Sequence, residues 1–170
     1  MDLCHAVSRN LYCSYRLELL VAKLLSVYAE SLRGPSPKER EARAILMAVA
    51  IESNRHAELI DLIARLYSLY EEVDDCSQVV GMPWSVTQKL FEEVSSGRYT
   101  DLKDFIERQM WIEKAVGEET YHRLLMPLLR EGVKSGCIDS SGASVIELLF
   151  DKIALDEEWH EKLLRKLTEL

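Results

Sequence analysis

Apolar residues recur at steps of three and four along most of this chain, which is the spacing of one face of an α-helix. Four long segments carry the pattern, at about 2–32, 36–73, 100 or 101–134 and 143–170. Gly34 and Pro35 end the first segment. The second opens with a capping box, Ser36-Pro37-Lys38-Glu39, and Pro127 predicts a kink in the third.

The connection between the second and third segments, roughly 73–100, is much longer than neighbouring helices of a bundle need. It predicts one short helix at about 85–94, ended by "SSG". We therefore expect an all-α fold: two antiparallel helix pairs joined by one long crossover, as a four-helix bundle. A length of 170 residues predicts a single domain over residues 1–170.

Each apolar stripe is interrupted by ionisable residues on its inward face. The interruptions are Glu18 in the first helix, Glu52 and His56 in the second, Glu113 in the third, and Glu157 and His160 in the fourth. Counting residues from each turn places all six side chains at one level of the bundle. Asp156 stands four residues before His160.

Four buried carboxylates need compensation, because each desolvated charge costs several kcal/mol. Two divalent ions would balance Glu18, Glu52, Glu113 and Glu157. Oxygen and imidazole ligands suit iron or manganese, and we expect iron before manganese. The six residues therefore predict a dinuclear metal site.

Other titratable residues have no such context. His5 and His122 are expected at the surface, and Glu118 and Glu119 on a solvated face. Glu118 would substitute as a ligand only if the register of the third helix were displaced by a turn.

Bulk properties restrict the partners and the compartment. The net charge of −8 argues against nucleic acid or an anionic membrane as partner. The chain has no basic-then-apolar leader and no apolar run of about 20 residues. Its four cysteines form no C-x-x-C pair, so we expect free thiols in a cytoplasmic protein.

At these residues the sequence resembles the ferritin-like di-iron carboxylate superfamily, in particular its rubrerythrin-type branch without a rubredoxin domain. In that superfamily two helices each supply a carboxylate, and two each supply a Glu-x-x-His pair. "EEWH" matches the pair at Glu157 and His160, whereas "ESNRH" has Ser53 at the Glu position and Glu52 one residue earlier. We expect Glu52, not Ser53, to be the ligand.

The resemblance implies a metal-binding oxidoreductase that reduces peroxide or oxygen at a di-iron or di-manganese centre, with electrons from an external donor protein. Tyr28, Tyr121 and Trp159 would then lie near the centre as supporting groups or electron relays, or belong to the core. We expect a small oligomer, a homodimer. The alternatives are an iron-oxidising storage protein, a hydroxylase of an organic or RNA substrate, and a metal-free helical interaction module.

Overall fold

Helices account for nearly all of the regular structure in the computed structural model, which describes residues 2–98 and 101–169 and contains no strand there. The helices are α1 (Leu3–Ser31), α2 (Pro37–Leu66), α3 (Ser77–Val80), α4 (Met82–Ser95), α5 (Leu102–Ala115), a π-helical segment (Val116–Leu125), α6 (Met126–Lys134) and α7 (Ser140–Thr168). The all-α prediction is confirmed. None of these helices is long and apolar enough to cross a membrane.

Side-chain caps set the helix starts. The Ser36 hydroxyl accepts the Glu39 N–H at 3.2 Å, as the capping box predicts. The Asp139 carboxylate accepts the Ser141 N–H at 2.8 Å, so α7 begins at Ser140 rather than near 143. The predicted boundaries at Thr100 and Leu170 fall outside the described residues.

The second helix ends earlier than its apolar pattern suggested. It stops at Leu66 instead of continuing to about 73, because Ser68 adopts a positive φ of 55° that a helix cannot accommodate. The connection to α5 holds both α3 and α4, whereas one helix at 85–94 was expected.

The third long helix is continuous from Leu102 to Lys134 and widens in its middle, at the π-helical segment. The predicted distortion therefore precedes Pro127, which lies in the first turn of α6. Gly117 lies in the widened part, and a Cβ there would come within 3.1 Å of Glu157 Cβ. Glycine at this position thus allows the segment to approach α7 closely.

The long helices pack in pairs. The chain turns within residues 32–36 and α2 packs back along α1, while α5 and the π-helical segment pack along α7. The helices α3 and α4 cover α1, and α2 also contacts α7. The face where α1, α2, α5 and α7 meet contains the predicted polar level.

The cysteines correct one expectation. All four form disulfides, Cys4–Cys137 and Cys13–Cys76, with Cα–Cα distances of 5.4 and 5.3 Å. The prediction of free thiols is wrong because α1 brings each of its cysteines beside a loop cysteine that is distant in sequence. Spacing along the chain carries no signal for such pairs.

Candidate metal centre

The structure brings the six predicted residues together at one level, from four different helices. Glu18 comes from α1, Glu52 and His56 from α2, Glu113 from α5, and Glu157 and His160 from α7. The imidazole rings of His56 and His160 are 5.7 Å apart, centroid to centroid.

Two groups of three residues could each hold an ion. In the first group, His56 Nδ1 lies 3.2 Å from Glu157 Oε1 and 3.8 Å from Glu18 Oε2. In the second, His160 Nδ1 lies 3.1 Å from Glu113 Oε2 and 3.5 Å from Glu157 Oε1. The Glu157 carboxylate belongs to both groups, so α7 links them.

The outer ring nitrogens of both histidines are also engaged. His56 Nε2 lies 3.1 Å from Asp156 Oδ2, and His160 Nε2 lies 2.7 Å from Glu52 Oε2. Each pair joins α2 to α7. An N–H on Nε2 that donates to these carboxylates leaves Nδ1 of each ring as an acceptor aimed at the centre.

The structure reverses the expected orientations of Glu52 and Ser53, because Ser53 and not Glu52 lies on the buried face of α2. The Glu52 side chain is 42% exposed and reaches His160 from the edge of the helix interface. Ser53 is fully buried, and its hydroxyl has no hydrogen-bond partner among the described residues. The inward face of α2 is therefore rotated by about one residue from the predicted stripe, which places Glu52 in contact with His160 but outside both groups of three.

Two further side chains support the buried carboxylates. The Tyr121 hydroxyl donates to Glu18, and the Gln109 amide donates to Glu113. Tyr121 was among the aromatic candidates, but Gln109 was missed. Its signal was available, since Gln109 is a polar residue on the buried face of α5, one turn before Glu113.

The other two aromatic candidates are elsewhere. Tyr28 is buried and stacks on Phe105, with ring centroids 3.6 Å apart, so it belongs to the core. Trp159 is 54% exposed and belongs neither to the core nor to the centre. It follows Glu158 on the outer surface of α7, where the helix turns its side chain away from the buried face.

The residues expected at the surface are there. His5 and His122 are exposed, and His5 pairs with Glu71 at 2.6 Å. Glu118 is exposed and lies 3.9 Å from Lys114, so it does not replace Glu113 in the centre. Glu119 is exposed as well.

Burial and charge strongly perturb the central groups. Burial and the charges of Glu18 and Glu113 raise the pKa of Glu157 to about 8. Burial disfavours an imidazolium, but Glu157 and Glu18 outweigh it and raise the pKa of His56 to about 11. Burial is outweighed in the same way at His160, where Glu113 and Glu157 raise the pKa to about 12. The centre therefore attracts positive charge strongly, as protons or as metal ions.

The donor set fits divalent cations. Glu18, Glu113 and Glu157 are at most 2% exposed, and within the described residues their ion-pair partners are histidines, not lysines or arginines. His56 Nδ1 and Glu157 Oε1 lie 3.2 Å apart, and within the described residues neither atom has a hydrogen-bond partner. Unsatisfied buried atoms of this kind cost about 1–3 kcal/mol each, and a cation between them would satisfy both.

A groove gives access to the centre from the side of α5, the π-helical segment and α7. It has a volume of about 360 Å³, and the buried residues Glu113, Gly117 and Glu157 line it. Exposed charged residues also line it: Lys114, Glu118, His122, Glu158, Lys162 and Arg165. A small polar molecule could reach the shared carboxylate by this route.

The comparisons with known proteins add no relative to this description. The chain matches no protein-family model, no curated protein and no solved structure. The chemistry of the centre itself is therefore what indicates a function.

Proposed function

We propose that this protein is a ferritin-like di-metal oxidoreductase, binding two iron or two manganese ions and reducing peroxide or oxygen with electrons from an external donor. The observation that carries the proposal is Glu157, one carboxylate shared by two buried groups that each also contain an imidazole and a second carboxylate. That composition is typical of non-haem iron and manganese sites. The four long helical stretches would form one four-helix bundle, with α3 and α4 in its crossover.

Five residues would hold the ions. Glu18, His56 and Glu157 would hold one, and Glu113, Glu157 and His160 the other. When bound, the ions would supply the redox chemistry. Converting one peroxide to two waters takes two electrons and two protons, and an external donor protein would supply the electrons.

The surrounding side chains would keep the ligands in position. Glu52 and Asp156 hold the outer nitrogens of His160 and His56, so that each ring presents Nδ1 to the centre. Tyr121 and Gln109 each occupy one oxygen of a carboxylate and leave the other oxygen facing inward. The groove beside Glu113 and Glu157 would admit a small oxidant while the packed helices exclude larger molecules.

The cytoplasmic location is a proposal that the disulfides constrain. Disulfides persist mainly in oxidising compartments, with intracellular proteins of hyperthermophiles as the exception. A cytoplasmic location would thus place this chain among those exceptions. Thiol titration of denatured protein purified from a reducing cytoplasm would test this location. Four reactive thiols per chain would mean that the disulfides do not form in that compartment.

Metal loading followed by oxidation tests the function. We expect about two ferrous ions per chain after anaerobic reconstitution, and faster oxidation of these ions by hydrogen peroxide than by oxygen. Glu157→Gln should lower metal content and oxidation together, because Glu157 serves both groups. The matched control is Glu119→Gln, which changes an exposed glutamate that does not line the groove and should leave both unchanged.

Two outcomes would contradict the proposal. Metal content near zero after reconstitution would favour the metal-free interaction module, in which protonated histidines alone balance the carboxylates. Accumulation of hundreds of ferric ions per particle would instead favour the storage function.

A further inference from the structure

Large apolar side chains are exposed mainly on one side of the molecule. Of the nine such residues in the described chain, seven belong to α2 and α7. They are Ile51, Leu62, Leu66, Val145, Leu148, Leu155 and Trp159, each between 50% and 70% exposed, and we call them the α2–α7 apolar face. The other two, Met82 and Trp111, lie on α4 and α5.

The contacts between α2 and α7 show how these residues are arranged along the two helices. Glu52 contacts His160 and His56 contacts Asp156, so residue numbers rise along α2 as they fall along α7. The helices are therefore antiparallel. In this register Leu66 and Leu62 lie at the same level as Val145 and Leu148, and Ile51 lies at the level of Trp159.

The exposed residues also share one side of this helix pair. Ile51 comes immediately before Glu52, and Leu155 and Trp159 come immediately before Asp156 and His160. Three of the four residues that meet across the helix interface are thus preceded by an apolar residue rotated outward, and the fourth, His56, is preceded by Arg55. On α2, Leu62 and Leu66 follow Ile51 at helical spacing on the same side of the helix. On α7, Val145 and Leu148 precede Leu155 in the same way.

We propose that the α2–α7 apolar face is the contact surface of a homodimer. Seven large residues exposed by half or more present an apolar area on the order of the ~800 Å² per partner that stable interfaces bury. Monomeric proteins rarely expose apolar patches larger than a few hundred Å², and these seven side chains lie on one side of a single helix pair. This inference is independent of the proposed metal chemistry, because none of the seven residues belongs to the centre.

A second copy fits this face better than a lipid surface does. The chain carries a net charge of −8, and the exposed acids Glu58, Asp151 and Glu158 lie beside the face, so an anionic bilayer would repel it. The exposed bases Arg55 and Lys152 lie within the same region. A twofold axis would pair this face with itself, so that each copy meets both signs of charge and the apolar residues of both copies are covered.

The mass in solution, measured by sedimentation velocity, tests the proposal. At about 10 µM, within the range of ordinary interface affinities, the unaltered protein should have twice the 19.5 kDa chain mass. The double variant Leu66→Glu/Leu148→Glu should be monomeric, with Kd raised by at least ~100-fold, because dimerisation would bury four unpaired charges. Both leucines are about 70% exposed, so the helical circular dichroism should not change.

The matched control is Met82→Glu, since Met82 is 64% exposed but lies on α4. It should remain dimeric. A monomeric unaltered protein, a dimer that survives the double substitution, or a closed shell of many subunits would each overturn the proposal. So would co-sedimentation with phosphatidylcholine–phosphatidylserine vesicles that only the double variant loses.

Metal content is measured on the same samples to separate the two proposals. A monomeric double variant with its full metal content would support the dimer. A metal-free protein that forms the expected dimer would contradict the proposed function and leave the dimer standing.

Discussion

The helices α2 and α7 carry the same arrangement of polar residues with one difference. Each has a histidine and, four residues before it, an acid: Glu52 before His56, and Asp156 before His160. Three residues before the histidine, α7 has Glu157 where α2 has Ser53. Both of these positions are buried, but only α7 places a carboxylate there.

Because of this difference, the two helices contribute unequally to the centre. Each helix supplies one outer acid that contacts the histidine of the other helix. Glu52 of α2 contacts His160, and Asp156 of α7 contacts His56. The inner carboxylate comes from α7 alone and serves both histidines. A nearly symmetric helix pair thus contains an asymmetric centre, and each side can be altered separately.

Removing the histidine of α7 should have the largest effect. His160 contacts Glu52, Glu113 and Glu157, and His160→Ala would remove the ion-pair partner of the buried Glu113 and leave Glu157 with His56 alone, at about 3–5 kcal/mol. We expect loss of at least one ion per chain, measured by elemental analysis, and a lower free energy of unfolding. His5→Ala removes an exposed histidine and should change neither. Equal losses in the two variants would contradict a central role for His160.

Chelation should have the next largest effect, and it should depend on pH. At metal concentrations ~1,000-fold above Kd, binding contributes about 4 kcal/mol to stability, which a chelator removes. In the apo-protein Glu157, His56 and His160 bind protons more tightly than in the unfolded chain, since their pKa values are raised to about 8, 11 and 12.

The stability of the apo-protein should therefore fall as pH rises. The decrease begins above the unfolded pKa of glutamate and continues past that of histidine, at about 1.4 kcal/mol per pH unit for each proton of difference. Urea unfolding between pH 6 and 8, with and without a chelator, measures it. An apo-protein equally stable at both pH values would show that these groups are not buried as described.

Substituting Glu52 and Asp156 tests the contacts that these acids make with the histidine of the opposite helix. Asp156→Asn and Glu52→Gln should each weaken metal binding by about 10- to 100-fold, as partners of ligand histidines do. We expect the larger loss for Asp156, because its side chain is 25% exposed and that of Glu52 is 42% exposed. Competitive titration with a chromophoric chelator measures both. A ligand role for Glu52 would reverse the order.

Removing the hydroxyl of Ser53 should have the smallest effect. Because its oxygen has no hydrogen-bond partner in the described part of the chain, Ser53→Ala should change the free energy of unfolding by less than about 1 kcal/mol and leave the metal content intact. A loss of metal comparable to that of His160→Ala would mean that the serine oxygen is a ligand and that the two helices are more alike than their contacts indicate.

Several features were predictable from local patterns. Helix starts followed from side-chain caps such as Ser36, and the buried face of α7 followed from its apolar spacing. Glu18, Glu113, Glu157 and His160 were recognisable as ionisable residues inside apolar stripes, and all four are buried. These predictions held because capping and amphipathic spacing act within a few residues of the chain.

What the sequence by itself determined is thus the helical class and the level at which acids and histidines meet. Only the tertiary structure decided whether Glu52 or Ser53 points inward, because neighbouring residues differ by about 100° around a helix and the apolar pattern does not fix the inward direction more finely than that. It also decided that Glu52 contacts His160 while Asp156 contacts His56. The contact of Gln109 with Glu113 and the pairing of the four cysteines were decided in the same way. Each of these depends on how one helix is rotated and displaced against another, which is fixed by packing across the whole molecule and not by any local stretch of sequence.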